Sequence, residues 1–222
     1  MATAAARFGE TQVEGSLRGW FRAFLGNTSP RLIVPALSAV IGARLAVGSW
    51  SRGDLIVAAA FVAAQPFTEW LIHVFVLHFK PRTVGRRRVD LYIARKHRAH
   101  HRDPWDIGLV FVPTPTLISL FAGIAVIYTL AFRDAHLGLT AAMTSLTLLL
   151  VYEWTHFLIH SPYAPKSRLY RYVWRAHRLH HFKNEHYWFG ITSHVADHVL
   201  RTFPERTGVE TSPTARTLGV AA

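Results

Sequence analysis

Glu69-Trp70-Leu71-Ile72-His73-Val74-Phe75-Val76-Leu77-His78, then a basic linker, then Lys96-His97-Arg98-Ala99-His100-His101, is the stretch on which this sequence turns. A near copy follows: Glu153-Trp154-Thr155-His156-Phe157-Leu158-Ile159-His160, another basic linker, and Ala176-His177-Arg178-Leu179-His180-His181. Ten of the 14 histidines lie in these four clusters. Imidazole at the edge of an apolar run is costly to bury and usually functional, and it is a common metal ligand.

The spacings carry geometry. His156 and His160 are four apart and share one helix face, as do His97, His100 and His101, and His177, His180 and His181. His73 and His78 are five apart, which on an ideal helix separates them by about 140°. That pair needs a distorted or ending helix, or two metals approached from different sides. Ten imidazoles exceed the four to six ligands that one ion takes, so two metals are expected. All-nitrogen sites suit iron, zinc, copper or nickel, whereas calcium and magnesium prefer oxygen. Glu69 and Glu153 each lie about one turn before a histidine and are candidates to fix an imidazole tautomer.

The rest of the chain says where such a site sits. Half of the 222 residues are hydrophobic, and four apolar runs, about 32–50, 55–79, 107–132 and 137–160, are long enough to span a membrane. Arg44 interrupts the first and is expected to snorkel toward an interface. The expected organisation is a leader over 1–31, a membrane domain over 32–204 and a disordered tail over 205–222. Trp20, Phe21, Phe24 and Leu25 beside Arg18 and Arg22 make part of the leader a candidate surface helix. No cleaved signal peptide is expected.

The net charge of +12 is concentrated between runs two and three and after run four. The positive-inside rule then puts both termini, both long segments (80–106 and 161–204) and all four clusters on the cytoplasmic side. Topology and anionic headgroups account for the charge, and no nucleic-acid partner is implied. With no cysteine, disulfides and thiolate metal sites are excluded.

Read together, HX4H (His73, His78), HX2HH (His97, His100, His101), HX3H (His156, His160) and HX2HH (His177, His180, His181) resemble the fatty acid hydroxylase/sterol desaturase superfamily, most closely the fatty acid 2-hydroxylases. His101-Arg102-Asp103-Pro104-Trp105-Asp106 and Phe189-Gly190-Ile191-Thr192-Ser193 with Asp197 support the likeness, which covers roughly residues 60–202. Related members often place Trp before that Asp and Phe-Gly-Thr after it; here Ala196 and Leu200-Arg201-Thr202 stand instead.

The resemblance implies an all-α integral membrane enzyme with four transmembrane helices and a cytosolic helical cap. It implies ligation of a non-haem dimetal centre, functionally two iron ions, by the ten histidines. Zinc can replace iron in purified protein. O2 and two electrons would hydroxylate an unactivated C–H bond of a lipid, with a fatty acyl chain as the leading substrate. No segment reads as a fused cytochrome b5, so a separate electron donor (cytochrome b5, ferredoxin or reductase type) is expected. The membrane would be the plasma membrane in a bacterium and the endoplasmic reticulum in a eukaryote.

Beyond the ligands, His186 and Asp197 join Glu69 and Glu153 as outer partners. Phe75, Phe157, Trp188 and Phe189, with Val74 and Leu158, are candidate pocket walls. His194 and His198 read as surface residues, and His136 as unrelated to the site. Desaturation, or a sterol or carotenoid substrate, is compatible with the same motif. A non-catalytic metal-binding membrane protein and a zinc-dependent hydrolase are the readings of other classes.

Overall fold

In a computed structural model of the chain, residues 7–8 and 15–220 are described. Most of the leader (1–6 and 9–14) therefore lies outside the described residues, as do residues 221 and 222. The chain divides into two compact units: residues 1–20, 66–111 and 155–222, and residues 21–65 and 112–154.

Among the described residues four helical stretches are long and apolar enough to cross a membrane. They are α2 (Thr28–Val47), α3 (Arg52–Ile72) with its continuation to Leu77, the stretch Ile107–Ala131, and α7 (Ala135–His160). These helices are apolar all round rather than on one stripe, and their large side chains face outward: Leu55 is 72% and Leu130 81% exposed. A helix that buries so little of its apolar surface against protein is matched to a hydrocarbon surround.

The third stretch is not one continuous helix. It breaks into α5 (Ile107–Val110) and α6 (Thr114–Ala131). Pro113 has no N–H to donate and restricts Val112 to extended backbone. The Val112 amide is satisfied by Glu153 Oε1 at 2.9 Å.

In the second unit Arg44 is fully buried, which corrects the expectation that it snorkels. It pairs with Asp54 at 2.7 Å, donates to Thr140 Oγ1 and the Gly48 carbonyl, and lies 3.7 Å over the Trp50 ring. Burying both charges with their donors satisfied avoids the cost of an isolated charge in an apolar surround.

In the first unit, α3 runs into a π-helical turn over His73–Leu77. A small antiparallel hairpin follows, β1 (Arg82–Val84) with β2 (Arg87–Val89), so this segment is not purely helical. Gly85 supplies the positive φ of 61° at its turn. Arg98 holds the exit of the hairpin by a two-pronged bond to Asp90 at 2.7 and 2.8 Å.

Then come α4 (Tyr92–Arg102) and, after α7, α8 (Arg168–Phe182) and α9 (Val195–Val199). Ser167 caps α8 by accepting from the Tyr170 amide. The leader helix α1 (Leu17–Leu25) is packed by Trp20, which sits with Phe8 against Phe157.

The tail does not fit the expectation of disorder. Val209, Ala215 and Leu218 are buried, and Val209 packs with Ala176 and Trp188. Short polar residues mask this in the sequence. Their side chains and backbone bond to helix ends, so the segment needs no apolar periodicity of its own.

Candidate metal centre

Four helices deliver the ten histidines, and all ten lie in the first unit. They form two groups of five. His73, His78, His97, His101 and His180 make group A; His100, His156, His160, His177 and His181 make group B. Within each group one ring nitrogen per residue lies within 4.8 Å of all the others. All are buried except His78, which is half-buried.

The awkward HX4H spacing is resolved by the backbone. The His78 amide donates to the His73 carbonyl at 3.0 Å, a bond five residues long, and the two rings approach to 4.9 Å. A π-turn is thus the distortion that brings residues five apart onto one side. HX3H needs no such device, because His156 and His160 lie one α-turn apart on α7.

Each HX2HH triplet splits. Taking the first histidine as zero, the third lies about 40° on around the helix and the middle one about 60° back. His97 and His101 therefore serve group A while His100 serves B, and His177 and His181 serve B while His180 serves A. Each group takes four ligand candidates from one half of the sequence and one from the other.

The nitrogens fit a cation rather than one another. In group B the Nε2 atoms of His100, His160, His177 and His181 form a chain of contacts at 3.1, 3.2 and 3.0 Å. A neutral ring nitrogen has one hydrogen or one lone pair, so the two middle atoms cannot make linear bonds to both neighbours. Lone pairs about 2.1 Å from a shared ion would stand roughly 3.0–3.4 Å apart.

In group A, His73 and His97 meet through Nε2 at 3.2 Å. The Nε2 atoms of His78, His101 and His180 are buried with no hydrogen-bond partner among the described residues. Donor set and spacing both suit a pair of nitrogen-ligated transition-metal ions.

Backbone carbonyls set the tautomers. Nδ1 of His73 donates to Phe189 O (2.6 Å), of His101 to Ala215 O (2.8 Å), of His180 to Tyr187 O (2.8 Å) and of His156 to Val110 O (2.8 Å). A carbonyl only accepts, so each Nδ1 carries the hydrogen and Nε2 keeps its lone pair for the cluster.

This corrects the role expected of the two glutamates. Glu69 accepts instead from the amides of Ile191 and Thr192 and from Thr192 Oγ1, anchoring the 189–192 loop. Glu153 accepts from Ser29 Oγ and the Val112 amide. No sequence signal marks the four carbonyls, because every residue has one.

Seven of the ten clustered histidines lie outside the spanning stretches, and burial keeps these seven neutral. Burial, reinforced by neighbouring imidazoles, holds His78, His97, His100, His177, His180 and His181 well below the usual histidine range. Burial takes His101 to about 3, against the opposing bond to Ala215. Ligands that are already deprotonated at neutral pH lose nothing to proton competition.

Asp197 is fully buried and ties the adjacent loop together. It accepts from the Phe189 and Gly190 amides, Thr202 Oγ1 and His194 Nδ1 at 2.7–3.0 Å. Burial works to raise its pKa, but the bonds from His194, Thr202 and Gly190 win and hold it below the carboxylate norm. His194 is therefore a buried partner of Asp197, not a surface residue, while His198 bonds Tyr172 on the exterior.

His186 is 62% exposed beside Glu185, outside both groups but near enough to His78 and His180 to act on them electrostatically. His136 sits in the first turn of α7.

Of the expected pocket walls, Phe189 lies against the histidines, with its ring 5.3–5.5 Å from those of His73, His78 and His180. Phe157 is core against Phe8 and Phe111, Trp188 packs on Val209, and Phe75 is 61% exposed. Phe157 follows a ligand by one residue, and that 100° step turns it away.

A family model described as fatty acid hydroxylase matches residues 58–202. The chain belongs to the fatty acid hydroxylase family. It is 31% identical over 146 residues to fatty acid 2-hydroxylase of Homo sapiens, an alignment covering 64% of this chain and 38% of that protein. It is 28% identical over 180 residues to dihydroceramide fatty acyl 2-hydroxylase FAH2 of Arabidopsis thaliana, covering 79% and 72%. The chain thus spans well under half the length of the human relative.

The fold matches a solved structure described as full-length scs7p with only the hydroxylase domain visible. The TM-score is 0.67 at 20% identity, covering 85% of this chain and 69% of that one.

Proposed function

We propose that this protein is a membrane-bound, non-haem di-iron oxygenase that hydroxylates a fatty acyl chain, at the carbon next to the acyl carbonyl. The observation that carries the reading is the pair of five-histidine groups, ten imidazoles with no thiolate and no carboxylate among them. The names of the relatives supply the substrate class and the position. The balanced reaction is R–H + O2 + 2 e⁻ + 2 H⁺ → R–OH + H2O, with the electrons from a separate donor protein.

Bound iron would supply O2 activation, which no side chain here can provide. The ten histidines would hold it, with four Nδ1–H···O=C bonds keeping their lone pairs directed inward. Phe189 walls group A with apolar surface and limits water at the reacting carbon. Glu69 and Asp197 hold the 189–192 loop, and through the Phe189 carbonyl they hold His73. The positive segments would face the cytoplasm with both termini, bringing the site to the cytoplasmic membrane surface.

Expression with an electron-transfer partner, followed by lipidomics, tests the proposal. Wild type should yield 2-hydroxy acyl lipids, and His177→Ala should abolish them. An unsaturated product would identify a desaturase, and no oxidised lipid despite reduction would reject the oxygenase reading. Fewer than two metals per wild-type chain would reject the dimetal centre.

A further inference from the structure

We infer that residues 205–220 form a strap that positions group A, making the C-terminal segment a part of the metal centre. The inference rests on the dimetal reading above. The strap lies beyond residue 202, where the match to the family model ends.

Its contacts select one target. Ser212 N donates to Lys183 O at 2.7 Å, Asn184 Nδ2 to Glu210 O at 3.3 Å, and Thr214 Oγ1 to Glu185. These bonds seize the C-terminal end of α8, just past His180 and His181. Arg216 donates to the Arg102 carbonyl, and Arg102 donates to Val220 O at 3.2 Å, seizing the C-terminal end of α4. The strap thus joins the ends of the two helices that carry both HX2HH triplets.

Between these anchors, Ala215 is 4% exposed and turns its carbonyl onto His101 Nδ1 at 2.8 Å. Leu218, 2% exposed with φ 51°, and Gly219, φ 68°, bend the chain back after that contact. A non-glycine residue holds φ > 0 at a cost, and the surrounding structure must impose it.

The Ala215 carbonyl does for His101 what Phe189 and Tyr187 do for His73 and His180. Without it, His101 could flip its ring or exchange tautomers, and group A alone would lose a directed lone pair. Outer hydrogen bonds to ligating histidines are typically worth 10–100-fold in metal affinity.

The test is metal content and chelator resistance of purified protein, measured without reference to turnover. Full chain should hold about two metals. A chain ending at Glu210 should hold about one, and Leu218→Asp should release one of its two metals at roughly tenfold lower chelator concentration. Leu218→Met, which keeps the apolar volume without β-branching at this positive φ, should behave as the full chain. Thr214→Val, a milder change, should show the same selective release in smaller degree and reads the effect if the truncated chain aggregates.

Equal chelator resistance of both metals in Thr214→Val and Leu218→Asp would overturn the strap's role. Loss of both metals together would also overturn it, since a general loss of fold is then the cause. A full chain with fewer than two metals would instead reject the dimetal reading.

Discussion

The half running from Glu69 to His101 and the half from Glu153 to His181 have almost the same sequence pattern and are built differently. The second uses regular α-helix throughout, with His156 and His160 one turn apart. The first inserts one residue and absorbs it in a π-turn.

The halves also differ in support. Three of the five group A histidines donate Nδ1 to loop or tail carbonyls, whereas His100, His177 and His181 of group B have buried Nδ1 atoms with no hydrogen-bond partner among the described residues. Group B is shaped chiefly by helices; group A depends on irregular backbone, from the loop at 187–189 and the strap. A repeated pattern thus specifies the ligands while leaving open what holds them.

The harshest way to break the comparison is to insert one residue between Val76 and Leu77, which converts HX4H into HX5H. Neither an α-turn nor a π-turn then brings His78 onto the face of His73, so His78 should leave group A and product formation should fall on the order of a hundredfold or more. Metal analysis should show one ion missing. An unaltered metal count would mean that the π-turn is incidental.

The exchange of the middle histidines predicts a pattern among double substitutions. His100→Ala with His160→Ala removes two ligands from group B and should leave one metal. His100→Ala with His97→Ala, three residues apart on one helix, should weaken both metals. Metal counts that follow position in the sequence rather than spatial group would refute the exchange.

Asp197→Asn should lower metal retention at group A by roughly tenfold, since the Phe189 peptide it fixes orients His73. Chelator release kinetics would show this, with the group B ion unchanged. The smallest effect is expected at the paired glutamates. Ser29→Ala removes one bond to Glu153 and should cost about 1 kcal/mol in denaturant unfolding without altering metal content. Thr192→Val should cost about as much and also loosen the loop at Glu69. Equal effects of both changes on metal retention would erase the proposed difference between the two acids.

Much of the centre was legible because it rests on local periodicity. Spans follow from the length of apolar runs, and the i, i+3, i+4 triplets follow from 3.6 residues per turn. The same arithmetic exposed the His73/His78 pair as unable to sit on an ideal helix.

Arg44 was misread because its partners Asp54 and Thr140 are 10 and 96 residues away, and pairing rather than snorkelling solves its burial. Phe157 and Trp188 sit in packed aromatic and apolar surroundings, and in sequence an aromatic residue near a histidine looks the same whether it walls a pocket or fills a core.

By itself, then, the sequence determined the donor chemistry: ten imidazoles and no thiolates, four at the ends of apolar helices and six on the basic segments that follow them. Tertiary structure alone decided which five imidazoles converge, which nitrogen of each faces inward, and that a tail carbonyl meets His101 of group A. The reason is physical. Ligand identity belongs to side chains and can be read one residue at a time. Grouping depends on where helices cross, and tautomer depends on carbonyls that carry no residue identity at all.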